Sequence, residues 1–482
     1  MSEKMTESRS FGWGGSHGTS WAVKSLARAG GLAVAAACVL CAFPAAAQPP
    51  APTTPSTPAP RTPAPGTPTP GTPIESPTGV VEGPTPSGTL PGVQIPGVLL
   101  PPRSPLDFLY APPAQGPLAV TPSLTITEQF NDNVFLTHSN KSFDFITQFS
   151  PMVMLQAQQP GFQLLSSFSF TAEIYAKNTE LDSAANQLSF LTALSYQATP
   201  GVALSLTDGL TYSRNSNLAA ISGVSSGRER SWSNVFAPGA TVQLTPRTTW
   251  RVSGGYTLER FGSGTNSQNS DLYRIGTGFG YTLTPRLTLT ADYNFGYFDV
   301  EHQPTAFNHT LRFGGTYQLT PTLSVTATAG PSLTLSNGDT EVTPAATASI
   351  AKQMSWGSIS AFYDQAIGTN GGFGGITNNQ SFGGSLAVTT LMRGLFIILT
   401  PRYSITKTTS ATTGASKSNT DIDALTVSLS ARYQIARYVG LVGSYQLFHQ
   451  TGSGGGRTSN SLDVDQNLVT FGVQFGYPIN LY

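Results

Sequence analysis

The chain has 482 residues, 25 basic and 25 acidic side chains, and only 10% charged residues, against about 25% in an ordinary soluble domain. A nucleic-acid binder would carry basic excess, a cytosolic enzyme more surface charge, and a helical membrane protein several apolar runs of about 20 residues; none of these fits. Gly (50), Pro (36) and 10% aromatics point instead to a charge-poor β protein.

Residues 1–29 are polar and carry Lys4, Arg9, Lys24 and Arg28. Residues 30–43 (GGLAVAAACVLCAF) are apolar, and Ala45, Ala46 and Ala47 precede Gln48. A basic n-region, a short h-region and an A-x-A site predict a secretory signal spanning 1–47, cleaved between Ala47 and Gln48. Both cysteines, Cys38 and Cys41, lie inside it, so the exported chain needs no disulfide.

Residues 49–117 hold 22 of the 36 prolines, spaced by Thr, Ala, Gly and Ser. Too little apolar side chain is present to offset ordering entropy, so 48–119 is expected to be a disordered tether biased to polyproline II. At about 3.1 Å per residue it would reach about 200 Å. It is either a plain periplasmic linker or a reach segment towards peptidoglycan or a secretion complex.

From residue 120 onwards the pattern becomes strand-like. Trp250, Val252, Gly254, Tyr256 and Leu258 alternate with Arg251, Ser253, Gly255 and Thr257, and 287–297 and 425–435 repeat this period of two. The predicted strands are 122–130, 142–158, 162–176, 185–198, 202–214, 230–244, 248–262, 270–283, 287–299, 307–319, 323–335, 343–354, 358–368, 379–390, 395–407, 421–435, 438–450 and 466–477. One turn recurs: 196–200 (YQATP), 242–246 (VQLTP), 281–285 (YTLTP), 317–321 (YQLTP) and, degenerately, 433–437 (YQIAR). Proline presets φ for a turn and donates nothing to a ladder, which predicts that it stands between strands. The repeat therefore marks successive hairpins. The other connections, such as 215–229, 263–270, 369–379, 408–420 and 451–461, are longer and rich in Gly, Asn and Ser.

Short turns on one side and long loops on the other, with apolar residues alternating against Ser, Thr, Gly and Asn, predict an all-β transmembrane antiparallel β-barrel of about 18 strands (16–18) in residues 120–482 of a bacterial outer membrane. In lipid every backbone group must pair internally, so the sheet must close. Tyr196, Tyr281, Tyr317 and Tyr433 stand four residues before a turn and are assigned to an aromatic girdle, ordinary strand propensity being the other reading. By parity Glu173, Arg251, Glu259, Arg274, Asp292, Arg312, Asp364 and Arg432 face the lumen. Asp208 breaks the pattern by falling on the apolar parity, unless a bulge near Gly209 moves it; 395–399 (LFIIL) is apolar on both faces.

The segment 469–477, with Val469, Phe471, Val473, Phe475 and Tyr477 in alternation, resembles the last-strand signal read by the barrel assembly machinery, with five residues trailing it. Residues 124–134 (LTITEQFNDNV), 144–147 (DFIT), 150–151 (SP) and the turn 283–289 (LTPRLTL) are similar to outer-membrane β-barrel porins of the kind often associated with exopolysaccharide loci. That resemblance covers roughly 120–482 and implies an outer-membrane pore, with a sugar polymer among its solutes; the tether is foreign to it.

His17, His138, His302, His309 and His449 have no metal-ligand spacing, and no local Ser–His pair marks a hydrolase. No catalytic residue, metal or cofactor is expected, and the expected surroundings are outer-membrane lipid. Two functions remain open. One is a porin-like channel for hydrophilic solutes, including polysaccharide; the other is a non-conducting scaffold barrel of an envelope or secretion system, its lumen plugged by the tether (Val93 to Leu100) or an inward loop.

Overall fold

Alternating side chains pair into one closed antiparallel sheet. The computed structural model describes residues 117–215, 224–225, 227–262, 267–369, 375–408, 421–453 and 462–481; the signal sequence and nearly all of the tether lie outside them. In chain order the strands are β1 (Leu118–Asn131), β2 (Asp144–Gln159), β3 (Phe162–Tyr175), β4 (Ser183–Thr199), β5 (Val202–Asn215), β6 (Arg228–Thr245), β7 (Thr248–Phe261), β8 (Ser270–Thr284), β9 (Leu287–Val300), β10 (Ala306–Thr320), β11 (Leu323–Ser336), β12 (Asp339–Met354), β13 (Gly357–Thr369), β14 (Ile376–Val388), β15 (Leu395–Thr408), β16 (Asp421–Ala436), β17 (Val439–Ser453) and β18 (Val464–Gly476), followed by a short β19 (Ile479–Leu481). Each pairs with the next, and β1 pairs with β18, which closes the barrel at 18 staves. The residues after the last-strand signal do not trail free. Past a break at Tyr477 and Pro478, β19 resumes on Leu118–Val120 in the register that β18 kept.

The outer surface is an apolar belt. Phe149, Phe168, Ile275, Phe279, Leu311, Phe313, Phe382, Phe471 and Phe475 are large and exposed, an arrangement stable only against lipid. Asp208 stays on this face. The β4–β5 and β5–β6 ladders pass Gly209 without a bulge, and Asn234 Nδ2 donates to Asp208 Oδ1 at 2.9 Å.

The two ends differ. At one end, which also holds Leu118 and Leu481, seven of the eight connections are two residues long and the eighth spans 389–394. At the other end they are longer, with one correction to the expected asymmetry: β11 and β12 join through Asn337 and Gly338 alone. Their φ values of 51° and 85° are the left-handed pair that a primed two-residue hairpin turn needs.

The repeated turn sequence has a physical explanation. Each ladder shifts by one residue just before it, between Gln197 and Thr199, Gln243 and Thr245, Thr282 and Thr284, Gln318 and Thr320, and Gln434 and Ala436. The glutamine bridges the resulting bulge: Gln197 Nε2 donates to Thr199 O at 2.6 Å and Gln243 Nε2 to Thr245 O at 2.5 Å. The threonine hydroxyl accepts from the turn, Thr284 Oγ1 from the Arg286 and Leu287 N–H groups at 3.3 and 3.1 Å. Every connection at this end is then tied to the following hairpin, that at 355–356 by Thr389 N–H donating to Trp356 O at 3.0 Å and the other seven by a strand. The carbonyls of Gly161, Gly201, Arg247, Arg286, Thr322, Gly394 and Tyr438 accept from the N–H groups of Gln197, Gln243, Thr282, Gln318, Gln353, Gln434 and Gly476 at 2.7–3.0 Å. Tyr477 N–H to Pro122 O (3.1 Å) carries the ring across the closure.

Proline is not confined to turns. Pro122, Pro151, Pro238, Pro331, Pro344 and Pro401 lie inside strands. Each pairs continuously with one neighbour and interrupts the ladder on its other side, where the missing N–H should donate. Beside Pro151 the β2–β3 ladder jumps from Phe149–Ala172 to Met152–Ser169, and beside Pro238 the β6–β7 ladder jumps from Phe236–Tyr256 to Gly239–Ser253. The same two-rung gap lies beside Pro122, Pro331 and Pro401. At Pro344 the ladder does not resume: β12 pairs with β13 only from Ala346–Gln365 towards the turn end.

The belt predicts a mutational cost. Ile275, 63% exposed on β8, is expected on replacement by arginine to lower stability by about 2–4 kcal/mol, measured by denaturant titration of the protein folded in lipid vesicles; the same change in a loop should cost little.

Candidate functional site in the barrel interior

The opposite parity faces inward. Glu173, Arg251, Glu259, Arg274, Asp292, Arg312, Asp364 and Arg432 all stand on it, out of phase with the belt residues of their strands. Tyr196, Tyr281 and Tyr317 are on the outer face and exposed, one rung group from the turn end, whereas Tyr433 is half-buried there. The inner face also holds aromatics. Besides Tyr175 and Phe448, it carries Phe298, Phe362 and Phe396, and the doubly apolar 395–399 segment turns Phe396 and Ile398 inward.

On the wall near the turn end Arg251 Nη2 and Asp292 Oδ1 form an ion pair at 3.1 Å. Gly278 makes room for it, since a Cβ there would collide with Asp292 Oδ1. Glu173 accepts from Tyr175 OH at 2.5 Å and from Gln148 Nε2 at 3.0 Å, and Arg228 Nη2 donates to Tyr175 OH at 2.9 Å.

At the loop end the connection between β1 and β2 folds into the lumen. Val134 and Leu136 are buried. Leu136 packs with Ala424, Phe448 and Val464, and Val134 with Ile146 and Tyr175. Asn133 fixes this segment by donating from Nδ2 to Thr137 O at 2.8 Å and Asp465 O at 2.9 Å. Val224, from the connection between β5 and β6, packs on Ile422 and Leu462. Its neighbour Ser225 exchanges backbone hydrogen bonds with the Gln450 amide at 2.7 and 2.9 Å.

The largest departure from a plain cylinder is at β13. Above Gln365 this strand has left β12, while β14 stays paired to it up to Thr369–Ile376. The face of this pair that continues the lipid-facing parity is buried: Gln365, Ile367 and Ile376 are 6%, 6% and 1% exposed. Ile367 and Ile376 form one cluster with Leu272, Phe298 and Ala306 of β8, β9 and β10. Those three belong to the inner parity, so the β13 edge has rolled inside the wall and lies against its inner surface. The inward side chains beneath it, Ser332, Thr334, Ser336, Thr343 and Ala345, are all buried.

Pro344 accounts for the release of this edge. In the β12 register it stands opposite Ile367, and both flanking hairpins direct its nitrogen towards β13. It offers no proton to the Ile367 carbonyl. Arg274 Nη2 donates to Ile367 O instead, at 3.2 Å, and Arg312 Nη2 donates to Gln365 O at 3.2 Å. Thr369 Oγ1 reaches Glu259 Oε2 at 2.8 Å, which Ser270 Oγ also approaches at 3.2 Å. Three of the inward residues therefore hold the rolled edge. Arg402 joins them from β15, donating from Nη2 to Ser381 Oγ at 3.3 Å. Its inward parity with Ser404 was the signal in the sequence; Pro401 and the apolar run before it obscured the phase.

A closed sheet with a lipid-facing apolar belt and a charged inner face defines a transmembrane β-barrel of the bacterial outer-membrane type. No family model matches the sequence, and no curated protein matches it. In structure the chain is similar to Pseudomonas aeruginosa OpdQ at 10% identity and a TM-score of 0.40, over 75% of this chain and 99% of that one. It is similar also to Acinetobacter baumannii OccAB4 (14% identity, TM-score 0.39, 76% and 99%) and Pseudomonas aeruginosa OpdO (13%, 0.40, 75% and 98%).

If the two guanidinium groups hold the edge, R274Q/R312Q should speed amide hydrogen exchange at 366–369 and 376–379 while β1–β6 keeps its protection, as read by mass spectrometry; unchanged exchange at the edge would show that apolar packing alone retains it.

Proposed function

We propose that the protein is an outer-membrane channel for the passive passage or export of hydrophilic solutes. One observation carries this: 18 staves close around an inner face bearing both signs of charge. A barrel of 16–18 strands is too wide for side chains to fill, and a polar interior behind an apolar exterior is the arrangement of a water-filled pore. The chain performs no catalysis in this reading. Polysaccharide belongs to the proposed solute range by the resemblance of its strand and turn motifs to porins of exopolysaccharide loci. The signal is removed between Ala47 and Gln48, the C-terminal strand is read by the assembly machinery, and the tether stays in the periplasm, where peptidoglycan or a secretion complex is its partner.

The burial of Val134 and Val224 inside the loop end favours the second reading, a stoppered scaffold barrel. Planar-bilayer conductance separates them. The mature chain from Gln48 and a chain starting at 117 should both give steady current steps. Steps from the shorter chain alone would make the tether a plug. Heat-modifiable migration, showing a folded barrel, without steps from either chain would establish the scaffold.

A further inference from the structure

A polar row crosses the middle of the lipid-facing belt. Ser166 of β3 stands opposite Thr192 of β4, and Thr192 opposite Asp208 of β5. Asn234 of β6 lies on the diagonal, opposite Leu210. All four share the outer parity with the exposed Phe168, Phe170, Tyr196 and Leu204, and all four are half-buried. They are bonded among themselves. Ser166 Oγ and Thr192 Oγ1 are 2.8 Å apart, and Asn234 Nδ2 donates to Asp208 Oδ1 at 2.9 Å and to Gly209 O at 3.2 Å. Asp208 is six residues from one end of β5 and seven from the other. Among the described residues, every other Asp, Glu, Lys or Arg of the outer parity lies within four residues of a strand end, near the membrane boundary. An ionisable group in the middle of the belt is costly against hydrocarbon and is better placed against protein.

The turn end of the same sector differs from the rest of the rim. The connections from β2 to β3 and from β4 to β5 are Pro160–Gly161 and Pro200–Gly201, without charge. Further round, Arg247, Arg286, Arg393 and Arg437 stand in connections and Lys352 two residues from the end of β12. All five are exposed. Cations at that level suit anionic headgroups, and among the described residues the turn end of β2 to β5 presents none.

We propose that the outer face of β3–β6 is the contact surface for a second copy of this chain, turned about the membrane normal, with Thr192 and Asp208 at its centre. Such a rotation returns every residue at its own depth, so the row of one copy meets the row of the other. The face is its own complement. The bond between Ser166 and Thr192 uses one hydroxyl proton and leaves the other to donate, while Asp208 Oδ2 and Asn234 Oδ1 can accept. Lipid tails offer no partner to these groups, whereas side-chain hydrogen bonds between protomers hold membrane segments together. The Pro-Gly turns place no cation between the two rims, where like charges would repel. The contact does not depend on whether the lumen conducts.

The test is cross-linking of the full mature chain, folded in lipid vesicles, with a short bis-maleimide. Cys38 and Cys41 precede Gln48, so one introduced thiol reports one position. T192C should be captured as a linked pair of chains. I359C, on β13 at the far side of the wall and 45% exposed, should stay single at the same protein-to-lipid ratio. In the T192C background, D208L/N234L should keep heat-modifiable migration and lower the linked fraction about tenfold, the loss expected of a few interchain hydrogen bonds. A folded T192C barrel that does not link, or links no more than I359C, overturns the proposal. Linking that survives D208L/N234L unchanged overturns it as well, because apolar packing alone would then make the contact.

Discussion

Backbone pairing governs this molecule. In hydrocarbon an unpaired N–H or carbonyl costs several kcal/mol, so a sheet must close, and β1 meets β18 over Ser123–Gly476 to Asn131–Leu468 to achieve it. A closed sheet has no edge on which to place proline. The six in-strand prolines therefore each remove a donor from an interior ladder. Five of these losses stay local, because the ladder resumes two rungs later. The sixth does not, and the structure answers by supplying donors from another direction: the carbonyls of β13 are met by arginines from β8 and β10.

That exchange of partners links the wall to the lumen. The residues that satisfy the released backbone come from the inward face of β8 and β10. The apolar contact of Ile367 and Ile376 with Leu272, Phe298 and Ala306 removes water from between the two layers, which strengthens the hydrogen bonds beside it.

Strand periodicity made the barrel legible in the sequence. The predicted 270–283 and 287–299 correspond to Ser270–Thr284 and Leu287–Val300, and the remaining strands agree to within a few residues, because a belt against lipid and an inner face against water enforce a period of two over long segments. The YQLTP turns were equally legible, since each of their residues has a local task. Three things were hidden. Proline carries a turn meaning and an in-strand meaning that only the neighbouring strand distinguishes, as Pro321 and Pro331 show ten residues apart. Asn337 and Gly338 made a two-residue turn where composition indicated a loop. The grouping of Arg274, Arg312, Asp364 and Arg402 depends on β13 crossing to the far side of its neighbours, and no spacing along the chain encodes that. The inward parity of the charged residues could be read from the sequence; what each one holds could not.

The ring of turn-to-strand hydrogen bonds gives the molecule a gradient of stiffness along its axis. At the turn end, the hairpins from Gly161 to Tyr438 are lashed to their neighbours, and the tie from Tyr477 to Pro122 completes a hoop. At the opposite end one ladder is open and the interior is packed by segments folded in from the rim. Load applied through the chain preceding Leu118 reaches the hoop first, where it is shared around the circumference. A mechanical pull from that side would therefore leave the opposite end undisturbed.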